Sequence, residues 1–293
     1  MCRCFSLICV VYVGSFGLPY VDLEDTRMRD RMAERSLQKA LDDGHHVWVI
    51  GDVHGFNQTR LALMESLDLQ PKDWVVFLGD LIDRGPNAFG VVHDVRTDAQ
   101  MVSVKGNHEA MMVQQFHAEK IARPDMDVML WMRNGGDATL SSYLNAFRNE
   151  NDVIDEQAMY AHVEVDRLWM SRLPSHLVLD RWCLVHAGYR PGVGLDEQDE
   201  ADLLWIRGAF HRARTPIDEQ RTVVFGHTPT AGLPGFTARD WGQPWHSDLV
   251  LEDGRAAAIG IDTCVYHGQE GPMVMTAFNL QTGTFVKQQR IEP

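Results

Sequence analysis

Five short motifs place metal-binding side chains directly after apolar, strand-like runs. They read GDVH from residue 51, GDLIDRG from residue 79, GNHE from residue 106, HAG from residue 186 and GHT from residue 226. Carboxylates, an amide and imidazoles are mixed oxygen and nitrogen donors, which suit divalent ions such as manganese, iron or zinc. No cysteine belongs to the set, so a thiolate-bound metal is disfavoured. The side chains concerned are Asp52, His54, Asp80, Asp83, Asn107, His108, His186 and His227.

The place of each motif at a strand end decides its interpretation. Taken singly, an Asp-x-His motif usually marks a turn next to a histidine that makes ordinary structural hydrogen bonds. A single Asn-His pair usually lies in a loop. In an open α/β sheet, however, ligands bind outside the carboxyl ends of the strands, where loops aim side chains into one space. The Gly in each motif lets the backbone turn sharply and leaves room for ions and phosphate. We therefore expect the five strand ends to converge on one edge.

Strand and helix patterns alternate around the first three motifs. They predict strands at VWVI, WVVF and MVSV, with helices at 57–69, about 89–96 and 108 to about 121. This alternation is typical of a layered α/β fold. Four later apolar runs, RWCLV, RTVVF, AAIG and MVMTAF, predict that the second half adds a second sheet. The predicted fold class is α/β, with two sheets in a sandwich flanked by helices.

The chain is long enough for one complete core. Its 293 residues, 45% of them hydrophobic, predict a single domain at 45–293 with a helical insertion at about 124–175. Residues 1–44 are expected to form an extension, disordered at first and then helical from Asp25 or Thr26 to about Asp43. The apolar spacing between Met126 and Met132 predicts core or cleft wall, and we expect the insertion to form part of the substrate-facing wall.

The charge balance limits the partners. The formal charge is −14, with 41 acidic against 27 basic residues. Nucleic acid and anionic membranes are therefore poor partners, and no stable membrane association is expected. A phosphorylated protein or small molecule remains a suitable substrate, because metal ions and a few arginines can make one cleft positive on an acidic protein.

Five cysteines are split between the first nine residues and two later strand-like runs. The early ones lack the spacing of common zinc or redox pairs, whereas Cys183 and Cys264 predict buried thiols of a reducing compartment. We therefore expect a cytoplasmic protein. The run from Phe5 to Val13 weakly resembles an export signal but is too short to span a bilayer, so export is kept as an alternative.

Together the motifs GDVHG, GDLIDRG, KGNHEAMM, HAG and VFGHTP resemble those of the metal-dependent phosphoprotein phosphatases, within the calcineurin-like metallophosphoesterases. The resemblance runs from about Val47 to about Asp262. The stretches WMRNGGDATLSSY and HAGYRPGVGLDEQDEADLLWIRGAF narrow it to the bacterial serine/threonine phosphatases related to the phage lambda enzyme. The resemblance implies a metallophosphoesterase sandwich that hydrolyses phosphate monoesters, with phosphoserine or phosphothreonine in proteins as substrates.

The resemblance also implies two divalent metal ions, manganese foremost, with iron or zinc as alternatives. Two ions about 3.5–4 Å apart can hold a shared hydroxide and clamp both oxygens of an in-line displacement. Asp80 would bridge them. The other ligands would be Asp52, His54 and His227 for the first ion, with Asn107 and His186 for the second.

His108, next to a predicted ligand, is then the natural general acid that protonates the leaving alkoxide. Asp83 would hold its tautomer and favour the imidazolium form. Arg84 and Arg207 are candidates for binding the phosphoryl oxygens, because a guanidinium fork matches two oxygens at once. Arg207 could instead be an ordinary surface arginine that follows a buried Trp205.

The nearest alternative function is hydrolysis of dinucleoside polyphosphates, which related phosphoesterases perform with the same metal centre. GNHE, with NGG and LLWIR, favours the protein-phosphatase branch, since the symmetrical dinucleoside tetraphosphate hydrolases tend to carry Asp after the His. A non-catalytic binding module is less favoured, because every predicted ligand and the acid are retained. One departure from the family pattern is Cys264, which stands where a Gly is usual and leaves the local backbone conformation open.

Overall fold

The computed structural model describes residues 28–115, 126–266 and 271–293. Within them, helix α1 spans Arg31–Asp42, and the carboxylate of Asp30 caps it by accepting two backbone N–H groups of the first turn. The expected start at residues 25–26 lies outside the described residues, and the cap sets the start of the described helix at Arg31. Gly44, with φ of 83°, ends the segment as predicted. No helix in the described ranges is both long and apolar enough to cross a membrane.

Three parallel strands and their connecting helices form the first half of the domain. Strand β1 pairs with β2 and β2 with β3, all in parallel register. The predicted alternation is confirmed, although α2 ends before the expected residue 69, because Asp68 turns the backbone with φ of 48°. The bounds are β1 Val47–Ile50, α2 Asn57–Ser66, β2 Trp74–Phe77, α3 Ala88–Thr97 and β3 Met101–Ser103.

A set of helices follows β3 and includes the predicted insertion. A π-helical turn at Met132–Gly136 joins two of them, and Gly135 kinks it with φ of 104°. These helices share one apolar cluster with α3 and the outer face of the first sheet. The expected end of the first of them, near residue 121, lies outside the described residues. The bounds are α4 Asn107–Gln115, α5 Met126–Trp131, α6 Asp137–Ala146 and α7 Glu156–Ser171.

The second sheet has the strand order β4-β5-β6-β8-β7. Its three central strands, β5, β6 and β8, are parallel, and the two edge strands are antiparallel to their neighbours. Two short helices lie between β5 and β6 in the chain. The bounds are β4 His176–Val178, β5 Trp182–Val185, α8 Glu200–Trp205, α9 Gly208–His211, β6 Thr222–Phe225, β7 Trp245–His246 and β8 Ala258–Gly260.

The last two strands correct the expectation that the second half of the chain builds only the second sheet. Strand β9, Val274–Asn279, pairs antiparallel with β1, and β10, Phe285–Gln289, pairs with β9. The first sheet therefore has the order β10-β9-β1-β2-β3. The apolar run of β9 specifies a buried strand but not its partner. Beyond β10, the carboxylate of Glu292 accepts the N–H of Thr59 and so caps α2, whose own N-cap residue offers no side-chain acceptor.

The core between the two sheets is formed by their facing apolar side chains. Val49 and Val76 of the first sheet share one buried cluster with Leu184, Val224 and Ile259 of the second. Burial of this kind is the main force that stabilises the sandwich. It also fixes the relative position of β1, β2, β5 and β6, whose carboxyl ends carry the metal-binding motifs.

A buried carboxylate ties the insertion to the first sheet's helices. Asp166 of α7, fully buried, accepts the hydroxyl of Tyr143 at 2.8 Å and the Nε–H of Arg96 at 2.7 Å. We expect Tyr143→Phe to lower the free energy of unfolding by about 1–3 kcal/mol, because it removes a donor from a buried charge. Urea unfolding measures this. Tyr160→Phe is the control, since Tyr160 of α7 is 50% exposed and its loss should cost less than about 0.5 kcal/mol. Equal effects of the two changes would contradict the prediction.

Candidate metal centre

The structure brings the predicted strand ends together. Asp52 and His54 follow β1, Asp80 follows β2, and Asn107 begins α4 after β3. From the second sheet, His186 follows β5 and His227 follows β6. All six side chains are buried, none more than 5% exposed. The expected convergence of strand ends is therefore seen in the fold.

One side of the cluster contains His54. Its Nδ1–H donates to the carbonyl oxygen of Ile82 at 2.9 Å, which leaves a lone pair on Nε2. That nitrogen lies 3.5 Å from Asp80 Oδ2 and 3.8 Å from Asp52 Oδ2. Asp52 Oδ2 is itself buried without a hydrogen-bond partner in the described structure. A cation here would satisfy an oxygen that the protein leaves unpaired.

The other side of the cluster contains His186. Its Nδ1–H donates to the carbonyl oxygen of Leu78 at 2.7 Å, so Nε2 again carries the lone pair. This nitrogen lies 2.8 Å from Asn107 Oδ1, 3.1 Å from His227 Nδ1 and 3.4 Å from Asp80 Oδ1. Potential ligand atoms this close to one another fit a shared cation when His227 is in the tautomer that leaves Nδ1 unprotonated. The two oxygens of Asp80 thus face the two sides, as a bridging ligand requires.

The ring of His227 lies on the His186 side, which differs from the predicted grouping with Asp52 and His54. Its Nδ1 is 2.8 Å from Asn107 Oδ1, and Asp80, His186 and His227 form one group of close ligand atoms. Only the backbone N–H of His227 reaches Asp52, donating to Oδ1 at 3.0 Å. The positive φ of 62° at His227 gives the physical reason, since it turns the main chain toward Asp52 and the ring away.

Backbone strain is concentrated at the centre. His54, Asp80 and His227 have φ of 48°, 50° and 62°. Residues other than Gly seldom adopt this left-handed backbone conformation. Each such residue costs on the order of 1–3 kcal/mol and persists only where its surroundings hold it. Gly79, with φ of 85°, lies against the backbone of Gly106 with no room for a Cβ. The motif glycines therefore allow the sharp turns and also let neighbouring backbone segments pack directly against each other.

Glu109, which the motif pattern does not predict as a site residue, also contributes to the centre. Its carboxylate accepts the backbone N–H groups of Asp80, Leu81 and Gly106 at 2.8–2.9 Å. Burial, together with the nearby charge of Asp80, raises the pKa of Glu109 to about 7. This side chain holds the turn that presents Asp80. The GNHE motif contains it, but only the fold shows which N–H groups it meets.

The acidic charges in the centre are not balanced by the protein alone. Burial raises the pKa of Asp52 well above its usual range, and the carboxylates of Asp262 and Asp80 raise it further. Burial likewise raises the pKa of Asp262 to about 6. Burial also opposes ionisation of Asp80, but the surrounding imidazoles, His186 foremost, hold its pKa below its usual range. Divalent cations fit this set, because they supply the missing positive charge among oxygen and nitrogen donors.

His108 and Asp83 form the predicted pair. His108 Nδ1 lies 2.6 Å from Asp83 Oδ2, and both side chains are buried. Burial lowers the pKa of His108, but the carboxylates of Asp80 and Asp83 outweigh it, and the net pKa is raised. The ligand atoms of His54, Asp80 and His108 lie close enough to share a cation, so geometry alone admits His108 either as a ligand or, held by Asp83, as a proton donor.

Asp83 has two more partners, both from the insertion. Trp131 Nε1–H donates to Oδ2 at 2.9 Å, and the hydroxyl of Thr139 donates to Oδ1 at 2.6 Å. The Thr139 oxygen also accepts the backbone N–H of Asp83 at 2.9 Å. Trp131 lies in the apolar cluster, as the helical spacing predicts, and its indole N–H also donates to this carboxylate.

Arg84 lies at the mouth of the centre. Its Nη1 is 2.6 Å from His54 Nε2, its Nη2 is 3.1 Å from His108 Nε2, and its guanidinium stacks 4.0 Å from the ring centre of Tyr266. This cation–π contact orients the guanidinium beside both imidazoles. Arg84 is therefore placed where a phosphoryl group could be bound.

Arg207 lies at the edge of the same region. Its Nη1–H donates to the hydroxyl of Thr228, next to His227, at 2.9 Å. The alternative interpretation assumed a buried Trp205, and this is wrong, because Trp205 is 48% exposed and its ring stands edge-on to His227 at 6.1 Å. Trp205, at the end of α8, and Arg207 thus border the centre, whereas Ile206 between them lies in an apolar core cluster.

The backbone conformation at Cys264 is the one expected of the Gly that is usual at this position. Cys264 adopts φ of 67°, the conformation for which a Gly is suited, and its N–H donates to Asp262 Oδ1 at 3.1 Å. Cys183 and Cys264 are both buried free thiols, as predicted. Burial raises the pKa of Cys183 to about 12, so this thiol is unreactive.

Comparison with known proteins agrees with this geometry. Residues 45–265 match the family model described as calcineurin-like phosphoesterase. Serine/threonine-protein phosphatase 1 of Salmonella typhimurium is 34% identical over 189 residues, covering 63% of this chain and 79% of that protein. Serine/threonine-protein phosphatase 2 of Escherichia coli is 28% identical over 214 residues, covering 68% and 88%. The symmetrical bis(5'-nucleosyl)-tetraphosphatase of Paracidovorax citrulli is 26% identical over 258 residues, covering 68% and 89%.

Solved structures share the fold. A metallophosphoesterase from Sphaerobacter thermophilus has a TM-score of 0.51 at 14% identity, covering 85% of this chain and 88% of that one. A protein serine/threonine phosphatase from Saccharomyces cerevisiae has the same TM-score and identity, covering 85% and 81%. At these identities the likeness shows the fold alone, and it confirms the predicted two-sheet sandwich.

Proposed function

Because the chain belongs to the calcineurin-like phosphoesterase family, and is therefore a metal-dependent phosphoesterase, we propose that it hydrolyses phosphate monoesters on the serine and threonine side chains of proteins. The observation that carries the proposal is the buried His108–Asp83 pair, whose imidazole lies close to His54 and Asp80 among the metal-binding atoms. A monoester with an alkoxide leaving group needs both a metal centre and a proton donor.

Two divalent ions, with manganese as the proposed metal, would be held by the six clustered side chains. When bound, they supply an activated water and neutralise charge on the phosphoryl oxygens. We revise the predicted grouping of ligands according to the positions of the rings. Asp80, whose two oxygens face the two sides of the cluster, would serve both ions. Asp52 and His54 would hold the first, and Asn107, His186 and His227 would hold the second.

The remaining residues bind the substrate and move a proton. The guanidinium of Arg84, beside His54 and His108, binds phosphoryl oxygens, and Arg207 does so from the other edge. Asp83 holds Nδ1 of His108, so Nε2 is the nitrogen that gives its proton to the leaving oxygen. The surrounding burial excludes bulk water from this proton transfer.

The choice of substrate is supported by the relatives. The relative with 34% identity is named a serine/threonine-protein phosphatase, as is the Escherichia coli relative. The second candidate is a dinucleoside tetraphosphate, because the Paracidovorax citrulli tetraphosphatase matches over a comparable share of this chain. GNHE in this chain, where the tetraphosphatases tend to carry Asp after the His, favours the first candidate.

The test compares two substrates on the full-length protein in the presence of manganese. A phosphoserine or phosphothreonine peptide and diadenosine tetraphosphate are supplied at equal concentration, and kcat/KM is measured for each. We expect faster release of phosphate from the peptide. Faster cleavage of the dinucleotide would assign the enzyme to the second candidate, and no hydrolysis of either would refute the proposed substrates.

A further inference from the structure

We propose that Trp131 and Thr139, both contributed by the helical insertion, are positioning residues that hold Asp83 and, through it, the proton donor His108. The inference rests on the proposed function, because it assigns the insertion a part in protonating the leaving group. Asp83 is fully buried, and the structure gives its carboxylate three side-chain donors: His108, Trp131 and Thr139.

Thr139 holds Asp83 at two points. Its oxygen accepts the backbone N–H of Asp83 at 2.9 Å, and its hydroxyl donates to Asp83 Oδ1 at 2.6 Å. Asp83 has φ of 71°, a conformation that requires support from its surroundings. One fully buried side chain therefore fixes both the main chain and the carboxylate of the residue that orients His108.

Trp131 holds the other carboxylate oxygen. Its Nε1–H donates to Oδ2, the same atom that His108 Nδ1 contacts. The ring is 2% exposed and packs against Gly136, where a Cβ would come within 2.5 Å of the indole. Gly136 thus lets the indole lie close to the turn, with its N–H directed at Asp83.

A third contact joins the insertion to the same loop. The backbone N–H of Arg84 donates to the carbonyl oxygen of Gly135 at 3.1 Å, and Gly135 packs against Arg84 with no room for a Cβ. Asp83 and Arg84 are therefore both held by residues 131–139. Both extra donors to the carboxylate are neutral, so its negative charge remains available to His108.

The test uses leaving groups that differ in their need for a proton. An alkyl phosphate, such as a phosphoserine peptide, leaves as a basic alkoxide, whereas an aryl phosphate with an acidic phenol leaves without protonation. We expect Thr139→Val, which keeps the shape but removes the hydroxyl, to lower kcat on the alkyl phosphate by about tenfold or more. On the aryl phosphate kcat should change little, and manganese content should be unchanged.

Thr139→Ser is the matched control, since it keeps the hydroxyl and should restore kcat on the alkyl phosphate. Trp131→Phe is an independent variant that keeps the ring and removes only the N–H, with the same expected selectivity for the alkyl substrate. The proposal is overturned if both Thr139→Val and Trp131→Phe slow the two substrates equally, or if Thr139→Ser does not restore activity. If the unaltered enzyme hydrolyses neither substrate, the proposed function has failed instead.

Discussion

Replacement of His108 by Asn is expected to lower turnover of an alkyl phosphate by about 10²–10⁴, which is the usual contribution of a positioned general acid. This corresponds to about 3–5 kcal/mol of transition-state stabilisation. The reason is the position of His108, whose Nδ1 is held by Asp83 at 2.6 Å. Burial lowers the pKa of His108, but the carboxylates of Asp80 and Asp83 raise it overall, as suits a proton donor. Metal binding should persist, because the clustered ligand atoms of the other six residues remain.

The measurement is kcat on a phosphoserine peptide, together with manganese content after dialysis. His93→Asn is a matched control: it makes the same chemical change at a histidine that lies exposed on α3 and belongs to neither group of ligand atoms. Near-normal turnover of the His108→Asn enzyme would remove His108 from the mechanism. Loss of manganese with loss of turnover would instead make His108 a ligand, in agreement with its position 3.8 Å from Asp80 Oδ2.

Replacement of Asp80 by Asn is expected to abolish binding of both ions and to lower turnover by at least about 10³, since a two-metal site supplies several kcal/mol to the transition state. One oxygen of Asp80 faces His54 and the other faces His186, so no other side chain serves both sides of the cluster in the described structure. The amide supplies only one oxygen and no charge.

Thermal unfolding distinguishes this loss of metal from a loss of fold. Manganese should raise Tm of the unaltered protein through binding to the native state, and it should not raise Tm of Asp80→Asn. Asp68→Asn is the control, because Asp68 is exposed and has φ of 48°, close to the 50° of Asp80. Persistent binding of two equivalents of manganese by Asp80→Asn would disprove the bridging assignment.

The features of this site that can be predicted from the sequence are those encoded by short local segments. Each ligand motif follows an apolar run, and parallel strands place such ends on one edge, so the convergence of Asp52, Asn107 and His186 could be expected. The direction of the His227 ring could not, because it depends on one positive φ that a histidine seldom adopts. Sequence identifies the side chain but not the rotation of the peptide that carries it.

Contacts between residues that are distant in the sequence also could not be predicted. Helical periodicity shows that Trp131 belongs to an apolar face, but the hydrogen bond from its N–H to Asp83 depends on how the insertion packs. The same holds for β9, whose apolar run predicts a buried strand without showing that it joins β1. Short segments encode their own conformation, whereas pairing between distant segments is set by the whole core.

The pairing of β9 with β1 has a consequence for synthesis of the protein. Strand β1, which precedes Asp52 and His54, is flanked on one side by residues 274–279, and Glu292 caps the following helix. The sheet beneath the metal centre is therefore completed only by residues that come far later in the chain than β1. Contacts of such high sequence separation make folding slow, and they form only after translation of this segment. A nascent chain that stops before β9 should accordingly remain a client of chaperones and bind no stable pair of ions.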